Sequence, residues 1–335
     1  MKKQLLIAAE LIISLAIIAA VLYLVNVGEV LAVIVNANYW FLLAALCAYF
    51  GINLGMSIRI RMILAEMGHK VSLGSALMAN FAGMLVSDFT PARSGYFATA
   101  FALTANNKIP LEKSIVSILA PQLFEFMLKV CAGTIAIIYL FHKLNLGEAS
   151  FVGMLLGTVA LAGMLAFGVL LLFSKRFLVM LKLIERLPLG AKAYGAFARM
   201  QHNAIAIKKL TWAILLLLAI TWGLKGVEWT MLGMAVGMNP QVEFPQYFFY
   251  LFLQPLVTML QFIPTPTIAG MGVSEAGAVA ILMLFGVPAP VAAAGAIMTR
   301  SIMIFVDLLG VQEARKVVRD NLDRILEGKM AGWEE

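Results

Sequence analysis

The stretch VSDFTPARSGYFATAF, residues 86–101, decides how the chain folds. Within eight positions it holds Asp88, Thr90, Pro91, Arg93, Ser94 and Gly95, and strongly apolar sequence lies on either side. Pro91 removes a backbone N–H and fixes φ, and Gly95 admits conformations closed to other residues, so a helix entering here breaks. Broken backbone inside a bilayer is tolerated only where protein or a watery cavity surrounds it.

The surroundings are bilayer-like. Of 335 residues, 62% are hydrophobic and 13% charged, with a mean hydropathy of +0.94. A soluble domain is nearer a quarter charged. Apolar runs long enough for about 20 helical residues recur along the chain, and the alternation of a membrane barrel is absent. The sequence therefore predicts one all-α polytopic membrane domain over residues 1–335. Lys2 and Lys3 precede an apolar run over 4–25 that is too long for the apolar core of a signal peptide and reads as a span. Cys47 and Cys131 fall in mid-span and read as small core residues.

Full spans are predicted at 4–26, 39–64, 111–141, 150–174, 211–237 and 290–312. Two apolar segments remain, 73–105 and 244–287, each broken centrally by proline and glycine into halves of roughly 14 to 17 residues, short for a crossing. Both are predicted to be re-entrant hairpins. Both termini then share one face, which carries eighteen basic residues, whereas the opposite loops 27–38, 142–149 and 238–246 carry only Lys143. The positive-inside rule makes the basic face cytoplasmic in a plasma membrane, with N- and C-termini inside. The basic segment 175–210 reads as an amphipathic connection on anionic headgroups rather than a nucleic-acid site, and 313–335 as a cytoplasmic tail.

Span, hairpin, span thus occurs twice in opposite orientation, at about 39–141 and 211–312. Such an inverted repeat is characteristic of secondary transporters, and paired broken segments point to the binding site. In the first break, Arg93, Thr90, Ser94 and a helix end near Ser94 form a cradle for an anionic headgroup, with Pro91 and Gly95 shaping it. The alternative is that Asp88 and Arg93 pair across a structural bend.

Further charges lie at depth, each costing about 2.5–3.5 kcal/mol at the centre of a span. Glu125 and Lys129 are spaced i, i+4, and Lys225 and Glu228 i, i+3, so each pair can neutralise itself. Glu275 begins the second return helix; Arg300 and Asp307 sit on the last span. Arg59 and Arg61 close the second span, where snorkelling to the headgroups suffices. These charges read either as a gating and coupling set or as internal salt bridges. The aromatic run FPQYFFYLF, residues 244–252, reads first as an interface belt and second as a sugar-stacking surface. No P-loop, no HExxH and no serine–histidine pair within a span is visible, so no cofactor is expected and hydrolysis is disfavoured.

These residues resemble the flippase-like transmembrane region of lysylphosphatidylglycerol synthases and its stand-alone relatives. The marks are SIRIRMIL (57–64), DFTPARSGYFATAFAL (88–103), LFE ending at Glu125, and FIPTPTIAGMGVSEAGAVAILMLFGVP (262–288) followed by Arg300. The resemblance implies roles for Arg59, Pro91, Arg93, Gly95, Glu125, Gly270, Gly272, Glu275 and Arg300. Tyr96 stands where relatives often carry an acid, and Thr99 lies where a basic residue is usual. No aminoacyl-transferase domain is visible, so lipid aminoacylation is not implied. The expectation is a transporter or flippase, not an enzyme, for an anionic phospholipid or a polyprenyl-phosphate-linked lipid. The alternatives are a non-catalytic scaffold for a cell-envelope enzyme and a membrane-embedded lipid transferase, for which no catalytic constellation is visible. A homodimer is left open.

Overall fold

A computed structural model describes residues 2–144, 173–180, 207–262 and 267–326 continuously, with scattered positions between 159 and 202. All regular structure among the described residues is helical. Most of the predicted span 150–174 and of the connection 175–210 lies outside them, apart from scattered positions, the short helix Lys175–Met180 and the turn Ile207–Leu210.

The chain opens with α1 (Lys2–Leu24) and α2 (Val27–Val35), which meet at a bend of 89°. A loop was expected over 27–38. Instead Asn26, at φ +64, caps a new helix: its side chain accepts from the Gly28 N–H at 3.2 Å and donates to Glu29 at 2.9 Å. An asparagine cap three residues before a glutamate starts a helix in a new direction. Next come α3 (Tyr39–Glu66), α4 (Leu73–Asp88), a 3₁₀ turn (Pro91–Phe97), α5 (Ala98–Asn107) and α6 (Leu111–Leu144). After the connection follow α7 (Thr211–Val236), α8 (Gln246–Phe262), a short 3₁₀ turn (Ile268–Gly270), α9 (Val273–Leu284), α10 (Ala289–Asp307) and α11 (Val311–Leu326).

Among the described residues, four helices are long and apolar enough to cross a membrane: α3, α6, α7, and α10 with its continuation to Arg319. The bent pair α1–α2 makes a fifth if counted as one span. The chain is a multi-pass membrane protein.

Each broken segment folds back on itself. The legs α4 and α5 pack together, and Ser75 at the start of one exchanges hydrogen bonds with Asn107 at the end of the other, at 2.9 and 3.2 Å. In the second segment α8 packs on α9, and the Gln241 N–H donates to the Phe285 carbonyl at 2.8 Å. The two 3₁₀ tips touch. The framework between them is the α3–α7 pair, where Gly51 and Gly55 face Leu224 and Thr221. Small residues let helices approach without a hydrophobic driving force.

Two prolines sit inside helices, Pro121 in α6 and Pro255 in α8. Proline in a helix orphans the carbonyl four residues earlier. For Pro255 that is Leu251, and the Trp222 indole N–H donates to it at 3.2 Å, tying α7 to the second hairpin. In the tail, α11 buries Ala314 and Val317 in the core around the first hairpin, and Asn106 donates to Glu313 at 2.9 Å. Both cysteines, expected in the core, are exposed and unpaired. Their helices turn them away from the core.

Candidate functional site

A cavity of about 440 Å³ lies where the tips meet. The first tip supplies Arg93, Ser94, Tyr96 and Phe97; α9 supplies Ser274 and Glu275; α10 supplies Arg300. The stripe Gln122, Glu125 and Lys129 of α6 forms one wall, and Thr221, Trp222 and Lys225 of α7 another.

The first break is built around Thr90. Its hydroxyl accepts from the Gly95 N–H at 2.7 Å and donates to the Val86 carbonyl at 3.1 Å, closing a tight turn. A Cβ on Gly95 would lie 2.5 Å from both the Thr90 hydroxyl and the Val86 oxygen, so only glycine fits. Arg93 is left-handed, at φ +56, a conformation that costs an L-residue roughly 1–2 kcal/mol. That geometry carries its guanidinium onto Asp88 at 2.7 Å while the side chain still lines the cavity. Asp88 is 1% exposed and stands behind the lining.

Two expectations about this break change. Thr90 and Asp88 do not face the cavity: both are consumed in shaping the turn and holding Arg93. The helix also does not start near Ser94, because the 3₁₀ turn runs to Phe97 before α5 begins. Of the predicted hydroxyls, Ser94 alone lines the cavity.

The second break carries its own anion. Gly272, at φ +86, ends the turn, and its N–H donates to Glu275 at 2.6 Å in a capping box that starts α9. A Cβ on Gly272 would meet Ile17 of α1 at 2.8 Å. Glu275 also accepts from Ser274 at 3.1 Å and pairs with Arg300, whose other nitrogen reaches Ser274 at 3.1 Å. Gly270 is buried, and its carbonyl accepts from the Ser274 hydroxyl at 3.1 Å. The protein's own carboxylate thus fills the start of this helix.

On α6, Glu125 holds two cations: Lys129 at 2.9 Å and Arg59 at 3.4 Å. Arg59 does not snorkel. It is 2% exposed, and its Nε and Nη1 have no partner among the described residues. Lys225 pairs with Glu228 at 2.7 Å and lies over the Tyr49 ring, 4.7 Å from its centre. Asp307 is fully buried behind the cavity and accepts from the Tyr49 hydroxyl at 2.8 Å.

Among the described residues the cavity surface therefore presents four basic residues, Arg93, Lys129, Lys225 and Arg300, against two acidic ones, Glu125 and Glu275. The counter-charges Asp88 and Glu228 sit behind it. Sequence reasoning missed the uncharged polar lining: Tyr49, Asn53, Tyr96, Thr221, Gln254 and Thr258. Asn80 donates to Asn53 at 2.7 Å and accepts from Tyr96 at 3.3 Å, which fixes α3, α4 and the first tip together. Such residues inside apolar helices were the available signal, because each needs a buried partner. Thr99 is buried against Gly83, a site with no room for a longer side chain. Among the described residues no three His, Cys, Asp or Glu gather to hold a metal ion.

The two broken segments of this helical membrane protein meet at a charged internal cavity. The chain is a member of the family described as the lysylphosphatidylglycerol synthase TM region, whose profile matches residues 7–310. No curated protein matches the chain.

Proposed function

We propose that the protein moves an anionic lipid, a phospholipid or a polyprenyl-phosphate-linked lipid, across the membrane. Its charged headgroup passes through the central cavity. One observation carries the proposal: the cavity surface is net positive because two counter-carboxylates are withdrawn behind it. Charges in a spanning region that face a cavity mark pathways for polar cargo. The two hairpins are re-entrant from opposite faces in this reading, and both termini lie on the cytoplasmic face, where the basic residues concentrate. Arg93 and Lys129 contact the phosphate; the Glu275–Arg300 and Lys225–Glu228 pairs open and close around it.

Transfer of a fluorescent phosphatidic acid between leaflets of proteoliposomes tests this. Arg93→Gln alone would strand Asp88, so it is combined with Asp88→Asn. The double variant should fold and lose transfer about ten-fold or more, the cost of a charge-assisted hydrogen bond. Unchanged transfer overturns the proposal.

A second reading is favoured by one feature: every cation lining the cavity already has a carboxylate partner. The protein is then a membrane scaffold held by internal salt bridges, and the same double variant leaves its behaviour unchanged.

A further inference from the structure

A second cavity, of about 290 Å³, lies beside the first between α6 and the second hairpin. Among the described residues that line it none is charged, and the Tyr139 hydroxyl is their only polar side-chain group. The two cavities share both walls. Along one stripe of α6 the lining passes from Gln122, Glu125 and Lys129 to the small Ala136 and then Tyr139. Ala136 is seven residues beyond Lys129, about 10 Å along a helix. The facing wall, α8, shows the same gradient: Gln254 and Thr258 line the charged cavity, Phe248 and Phe252 the apolar one. Tyr139 meets Phe244 edge-on at 5.5 Å between ring centres, so the apolar ends of the two gradients coincide. Phe248 and Ile135 of the apolar cavity's lining are exposed and mark its mouth.

We infer that this groove binds the apolar chain of the same anionic amphiphile whose headgroup enters the charged cavity. The inference rests on the headgroup reading above. Two walls that run in the same direction, one from charged to aromatic and the other from uncharged polar to aromatic, match a molecule with one charged end and one aliphatic end. A chain held there is not left among bulk lipid; it follows the α6–α8 seam as the head moves. The aromatic run at 244–252 thereby gains a role beyond an interface belt, as four of its phenylalanines line the groove.

The test is photo-labelling of the full chain in phosphatidylcholine vesicles. One probe is phosphatidic acid with a diazirine in mid-chain, a second is a polyprenyl monophosphate with a photoreactive group in its chain, and the control is phosphatidylcholine with the same diazirine. Labels from at least one anionic probe are expected on the groove residues of α6 and α8, well above the control. Either anionic probe labelling there supports the groove, and the stronger one identifies the chain. Ala136→Phe fills the groove and should cut groove labelling about four-fold or more, the occupancy lost per methylene displaced. Phe248→Ser, at the exposed mouth, tests the same point without crowding the interior. Equal labelling by anionic and neutral probes means bulk lipid only and overturns the inference, as does labelling scattered over the surface. Neither result touches the headgroup reading, which stands or falls on transfer by the Arg93 and Asp88 double variant.

Discussion

The Arg59 guanidinium lies 3.4 Å from the Glu125 carboxylate, joining α3 to α6 across 66 positions of sequence at a point where Arg59 is shut off from solvent. Lys129 occupies the other oxygen of the same carboxylate. Glu125 is thus the shared anion of a three-residue cluster with one excess positive charge. Removing it leaves a buried arginine uncompensated. Glu125→Ala should destabilise the protein by about 3–5 kcal/mol, read as a lowered thermal midpoint in detergent.

Exchanging Glu125 and Lys129 is not neutral in this geometry. The exchange sets a lysine against Arg59, and like charges at such a distance repel strongly in a dry interior. The reversed pair should yield less folded protein than either wild type or a Lys129→Met variant, measured by size-exclusion recovery. Full recovery of the reversed pair would show that Arg59 does not depend on Glu125.

Asp88 and Arg93 form a similarly enclosed pair, with Asp88 the deeper partner. Arg93→Ala should destabilise by about 3–5 kcal/mol by stranding a carboxylate. Adding Asp88→Asn should return most of that loss. Thermal unfolding of the two single variants and the double variant gives the coupling; simple additivity would contradict a direct pair.

The turn at Thr90 makes a sharper prediction. Gly95→Ala forces a methyl group against the Thr90 hydroxyl and the Val86 carbonyl, and overpacking of this kind costs about 1–3 kcal/mol. Thr90→Val keeps the shape but orphans the Gly95 N–H, at a cost of about 1–3 kcal/mol. Protease sensitivity of the first hairpin should rise in both variants.

Glu275 combines a helix cap with an ion pair, and two substitutions separate the roles. Glu275→Gln keeps an acceptor for the Gly272 N–H but gives up the charge facing Arg300. Glu275→Ala gives up both. The alanine variant should be the less stable by about 1 kcal/mol, the usual worth of a cap, in thermal unfolding. Equal loss would mean that the cap contributes nothing.

Much of the frame was legible in the residues. Proline and glycine mark the two broken segments because each changes what the backbone can do locally, wherever the chain goes next. A charge inside an apolar run is conspicuous because burying it is costly, so Arg93, Lys129, Lys225, Glu275 and Arg300 could be singled out, and all of them line the cavity. The spacing of Glu125 with Lys129 and of Lys225 with Glu228 announced two pairs correctly, since neighbours on one helix face are set by its period.

What crosses between helices was decided only by the tertiary structure. A helical period says which residues share a face, not which helix stands opposite. Arg59 with Glu125, Tyr49 with Asp307 and Trp222 with the carbonyl orphaned by Pro255 all depend on that second choice. So does the sorting of the charges into those that face the cavity and those, Asp88 and Glu228, that stand behind it. Sequence by itself determined that this chain must break twice inside apolar surroundings and must find company for its charges. Packing of the two tips against each other determined where those charges point, because only in three dimensions does one carboxylate become a partner and another a wall.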